Sequence, residues 1–179
     1  MLQITIPGTE MFNEETNEFF TTKDTTLQLE HSLVSLSKWE AKWNTPFLGK
    51  EKKTIEQTID YIKCMTITQN VNPIVYLNLT DANITAINDY IDEPMTATTF
   101  SNLNTPPSRE IVTSELIYYW MIALNIPMEC QKWHLNRLLT LIRVCNVKNT
   151  PPKKMSRQEI MNRNAALNAA RRKKLNSKG

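Results

Sequence analysis

Apolar and polar side chains alternate at period two along Leu2–Ile6, "LQITI", and the run stops at Pro7-Gly8. That pattern predicts a half-buried strand with a turn behind it. "MFNEETNEFF" then sets two apolar pairs on either side of a polar, turn-prone middle, and "TLQLEH" alternates again through Leu27, Leu29 and His31. A small antiparallel sheet of two or three strands is the expected result.

From Leu33 the period changes. Leu36, Trp39 and Trp43 follow helical spacing, and Ser37 with Glu40 spells a capping box, although the apolar phase begins upstream of it. After the loop "NTPFLGKEKK", Thr54 and Gln57 cap a second helix carrying Ile55, Ile59 and Ile62 on one face. "VNPIVYL" fits a short strand or a helix start equally well. Thr80 caps a third helix with the stripe Ile84, Ile87, Ile91, and Pro106-Pro107 keeps the following stretch a loop. Ile111–Ile126 is apolar on nearly every side of Trp120, which predicts a central helix enclosed by the others. Pro127 suits the first turn of a further helix of about five turns through Asn146. Its stripe is Leu135, Leu138, Leu139, Ile142 and Cys145, with Lys132, Asn136, Thr140 and Arg143 on the other side. A linker follows, and the Ser156–Glu159 box opens an alanine-rich helix with little large apolar surface beyond Ile160, Met161 and Leu167. The expected fold is α+β, mainly α: an N-terminal antiparallel β-sheet element over 1–31, a helical core domain over 32–147, and a basic linker and helix over 148–179.

Composition fits this reading, since 41% apolar and 22% charged residues in a chain of 179 are those of an ordinary globular domain. The longest apolar run, Leu116–Leu124, falls well short of the roughly 20 residues of a membrane span. The opening "MLQITIPGTEMF" lacks the basic, apolar and small-residue segments of a secretory signal, so the chain is expected to stay where it is made. Three sparse cysteines suit reduced thiols better than disulfides. Charge is divided unevenly: residues 148–179 hold ten Lys or Arg and one acid, whereas residues 1–147 hold eleven against seventeen. The basic character belongs to the tail.

Candidate chemistry is thin. Cys130 and His134, four residues apart on a helix, offer two metal ligands where zinc takes three or four, so the expectation is two ordinary partly buried side chains. No phosphate-cradling loop, nucleophile elbow or apolar pocket around paired acids stands out, and neither catalysis nor a cofactor is expected. The residues singled out for partner contact are Lys132, Arg137 and Arg143 on the long helix and Arg163, Arg171, Arg172, Lys173 and Lys174 on the tail. The tail fits a solvated segment, a protein-docking arm or a nucleic-acid contact, the last weakened by the absence of aromatic residues to stack on bases.

Four segments carry a family likeness: "LQLEHSLVSLSKWEAKWNTPFL", "TIDYIKCMT", "REIVTSELIYYWMIALNIPMECQKWHLNRLLTLIRVCN" and "PPKKMSRQEIMNRNAALNAARRKKLN". Together they resemble tail-module proteins of long-tailed bacteriophages, and are most similar to tail assembly chaperones. The resemblance implies a helper in the host cell cytoplasm, able to self-associate, that covers apolar helices of the tape measure protein until tail-tube subunits replace it. An amphipathic helix in an apolar groove is the expected mode. The competing expectation is a structural virion protein, a head-tail connector or tail-completion subunit, whose basic arm binds neighbouring subunits or DNA.

Overall fold

The computed structural model describes residues 1–13, 17–100, 110–150 and 156–176. β1 (Leu2–Ile6) pairs antiparallel with β4 (Thr25–Leu29), setting Leu2 opposite Leu29 and Ile4 opposite Leu27. The alternation works as expected, for Ile4, Ile6, Leu27 and Leu29 are buried while Gln3, Thr5 and Gln28 face out. Between them β2 (Glu10–Asn13) and β3 (Glu18–Thr21) form a ladder of their own, so the four strands make two two-stranded ladders rather than one sheet of two or three. The connection closes where Gly8 N–H donates to Asp24 (2.8 Å), Thr9 N–H to the Thr22 hydroxyl (2.8 Å) and Thr22 N–H to the Thr9 carbonyl (2.9 Å). A Cβ at Gly8 would run into the Thr22 carbonyl oxygen, which is backbone and cannot swing aside. Gly8→Ala is expected to cost about 1–3 kcal/mol, the usual range for overpacking, read as a lower urea midpoint.

Helix α1 (Leu33–Trp43) begins earlier than its Ser37–Glu40 pair suggests. The capping box is Ser32 with Ser35, in phase with Leu33 and Leu36, and it leaves Glu40 buried inside the helix. Helix α2 (Ile55–Met65) has the expected Thr54–Gln57 box. The ambiguous "VNPIVYL" resolves into a 3-10 helix, Pro73–Asn78, and α3 (Asp81–Asp92) starts at its Thr80 cap. Just past α2, Thr66 bridges Leu29, with Glu30 N–H donating to the Met65 carbonyl and Ile67 N–H to the Gln28 carbonyl, so β4 is held on both edges.

Two further expectations fail. The apolar stretch around Trp120 forms only α4 (Ser114–Ala123), and just three of its residues, Ser114, Ile117 and Met121, are buried. The predicted five-turn helix is two elements: a 3-10 helix, Met128–Lys132, with Pro127 as its cap residue, and α5 (Leu135–Asn149). The interruption has a cause outside the segment. His134 pairs with Ser32 in an isolated antiparallel bridge, and Leu135 N–H donates to the His31 carbonyl at 2.7 Å, which pulls the backbone out of helical geometry there.

Side chains from β1, β4 and α1–α5 meet in a shared core around Trp39, Ile62, Ile117 and Leu138. Trp39 also donates its indole N–H to the Gln57 carbonyl at 2.8 Å, joining α1 to α2. The chain divides into two compact units, Met1–Asn146 and Val147–Gly179. In the second, α6 (Arg157–Leu175) carries the expected Ser156–Glu159 capping box and buries none of its side chains.

Candidate interaction surface

Helix α4 is apolar around its circumference but packed on one side only. Ile117 and Met121 face the core, while Tyr119 and Ile122 are 63% and 68% exposed. Ile111 ahead of the helix and Met128 after it are exposed as well. On its flank, Trp120 and Val112 share a groove of about 730 Å³ with Leu139 of α5 and with Leu48 from the loop after α1. Uncovered apolar side chains gathered in this way mark interaction sites more often than isolated ones do.

A buried carboxyl sets this helix in place. Glu40 of α1 accepts from Ser114 N–H at the first turn of α4 (2.7 Å) and from Phe47 N–H (2.8 Å), so one side chain anchors both α4 and the loop that walls the groove. The Thr113 hydroxyl caps the same end by accepting from Leu116 N–H, and Tyr118 donates to Gln131, fixing the far side of α4 to the 3-10 segment. A second, smaller apolar hollow of about 310 Å³ lies between α2, the first 3-10 helix and α3, where Ile55 and Leu77 stand exposed beside Ile59 and Ile84.

The basic residues predicted for partner contact fall in different settings. Lys132 is exposed but lies on the 3-10 helix, not on α5. Arg137 is exposed with its guanidinium 4.1 Å over the Trp133 ring, and Arg143 sits 4.0 Å over Phe100, so both are held against aromatic faces. The polar side of α5 is a joint as much as a solvent face. Asn136 donates to the carbonyls of Ile91 and Glu93, both at 2.9 Å, capping the end of α3, and Thr140 bonds back to the Asn136 carbonyl. Arg163, Arg171, Arg172, Lys173 and Lys174 are all exposed on α6.

Cys130 and His134 do not share a helix face. Cys130 is buried in the middle of the 3-10 helix, where burial pushes its thiol up from the ordinary range. His134 turns towards α3 and bonds through Nε2 to the Tyr90 carbonyl at 2.9 Å. Since a carbonyl only accepts, Nε2 carries the proton and Nδ1 is a bare acceptor, buried and without a hydrogen-bond partner among the described residues. The His31 ring lies 5.1 Å away and its Nδ1 is 2.5 Å from the Tyr61 hydroxyl. Burial is the main cause lowering both imidazoles, His31 to about 4 with help from the neighbouring His134. Among the described residues no group of three or more His, Cys, Asp or Glu could hold a metal ion, and no helix is long and apolar enough to cross a membrane. No family model, curated protein or solved structure matches this chain.

The residues that build the surface, Glu40, Tyr119 and Ile122, are not those the sequence singles out. An apolar helix gives the same signal whether its own chain or another covers it. Glu40 gives no signal beyond its place in a false capping box.

Proposed function

We propose that this protein is a non-enzymatic binding protein, a bacteriophage tail assembly chaperone that shields apolar helices of the tape measure protein in the host cytoplasm. One observation carries the reading: the outer face of α4, with Tyr119 and Ile122 mostly exposed and the Trp120 groove beside it, leaves uncovered the kind of surface that a partner helix covers. The sequence resemblance supplies the identity of the partner.

The test is co-expression with a tape measure protein of a long-tailed bacteriophage, the partner that the resemblance implies. The wild-type chain should keep that protein soluble and co-purify with it. Tyr119→Glu with Ile122→Glu changes only exposed positions, so folding should persist while affinity drops at least about 30-fold, as loss of a central apolar anchor does. A doubly substituted chain that binds as tightly as wild type would sink the proposal. A second reading, a structural subunit of the virion, draws on the fully exposed basic α6. It requires the chain to be present in purified particles, whereas the chaperone reading requires it in infected cells and not in particles.

A further inference from the structure

Helix α6 has little apolar surface to offer. Ile160, Met161, Leu167 and Leu175 are its large apolar residues, all exposed, and four in 19 residues are too sparse along the helix to make a continuous stripe. What it has is charge: residues 156–176 hold six Lys or Arg and one acid, Glu159, which the Ser156 capping box uses. Arg171, Arg172, Lys173 and Lys174 are consecutive, and at about 100° per residue they ring the last turn, so that the helix end is cationic from every direction. A helix C-terminus is stabilised by a cation or two beside its carbonyls. Four in a row exceed that need, and the turn is already closed by Asn176, whose N–H donates to the Arg172 carbonyl.

A ring of cations on a capped helix with so sparse an apolar side suits a partner recognised chiefly by charge and available from any side. A protein surface offers carboxylates in a fixed pattern on one face. A nucleic-acid backbone offers a phosphate every few ångströms along its length. With no aromatic residue after residue 147 there is nothing in this segment to stack on bases, so unpaired strands gain no advantage over duplexes. The rest of the chain, with eleven basic against seventeen acidic residues over 1–147, repels the same polyanion and confines the contact to the arm. We infer that α6 binds the phosphodiester backbone of nucleic acid without reading its sequence, through Arg171, Arg172, Lys173 and Lys174.

The experiment uses the full chain and two fluorescent probes, a mixed-sequence DNA duplex and an RNA duplex of the same sequence, titrated across a salt series. Four phosphate contacts predict a log–log salt slope of about −4, or about 100-fold weaker binding between about 50 and about 200 mM salt, with similar values for the two duplexes. Changing Arg171, Arg172, Lys173 and Lys174 together to glutamine keeps helix propensity and should remove most of the affinity and the slope. Arg171→Lys with Arg172→Lys keeps the charge and should bind within a few-fold of wild type. The inference is overturned if the glutamine variant binds like wild type, if affinity is flat with salt, or if one of the two duplexes is preferred by more than about 100-fold. Capture of an acidic protein by a chain with no salt-dependent affinity for either duplex overturns it too. Because the residues differ from those of the α4 face, Tyr119→Glu with Ile122→Glu should leave duplex binding intact, which separates this test from that of the chaperone reading.

Discussion

Replacing Glu40 by alanine is expected to destabilise the protein by about 3–5 kcal/mol, because it strands two backbone donors at about 1–3 kcal/mol each and opens a small cavity. Glu40 is 7% exposed, and both residues it serves, Phe47 and Ser114, are buried. A loss of that size lowers the melting temperature of a chain this long by about 10 °C or more. Glu40→Gln is the sharper variant. It keeps the shape but turns one acceptor into an NH₂ facing an N–H, so its cost should fall between wild type and alanine. The change should be visible locally as well, as faster hydrogen exchange at the first turn of α4, where Ser114 N–H bonds to Glu40. If alanine costs less than about 1 kcal/mol, water has replaced the carboxyl and Glu40 is not what fixes α4.

The contrast between Glu40 and the capping residues shows how far the sequence could be read. Thr54–Gln57 and Ser156–Glu159 mark the ends of α2 and α6 correctly, and Thr80 marks α3, because a capping box is a local hydrogen-bond pattern written in four consecutive residues. Ser37–Glu40 spells the same pattern and fails, since the burial of Leu33 and Leu36 sets the helix phase and Ser32 fits it better. The break in "ECQKWHLNRLLTLIRVCN" is harder still. It arises at Trp133 and His134 from pairing with His31 and Ser32, about a hundred positions back in the chain, and no periodicity inside the segment encodes it. Side-chain chemistry was legible to the same degree. The charge of α6 could be read directly, whereas the aromatic seats of Arg137 and Arg143 depend on where Trp133 and Phe100 come to lie.

Apolar content predicts burial only when the chain supplies enough elements to surround a helix. Around α4 the described residues supply α1 on the inside, with α5 and the 3-10 segment at its flanks, and leave Tyr119 and Ile122 exposed. The same physics that made Ile111–Ile126 look like a central helix thus leaves Tyr119 and Ile122 on an exposed apolar face, the face to which we assign the partner.

Acidification below about pH 6.5 is expected to weaken the fold through the two histidines that join β4, α1, α3 and α5. His31 and His134 are 2% and 6% exposed. Burial and the neighbouring imidazole lower His31 from its ordinary value of 6.5 to about 4. Above pH 6.5 neither the folded nor the unfolded chain carries this proton, and stability is at its full value. Below it the unfolded chain takes up the proton first, and the folded state resists until about pH 4, so stability falls steadily across that window. At about 1.4 kcal/mol per pH unit the loss approaches about 3 kcal/mol from His31 alone. His134 adds to it in the same direction, with burial lowering it against its bond to the Tyr90 carbonyl. Glu30, bonded to Tyr90, and the nearby Glu93 pull the other way and limit the His134 share. Urea midpoints at about pH 7 and about pH 4.5 measure the effect. His31→Gln should lower stability at neutral pH, through loss of the Tyr61 contact, yet flatten most of the slope between those two values. A slope in the variant as steep as in wild type would place the titrating groups elsewhere.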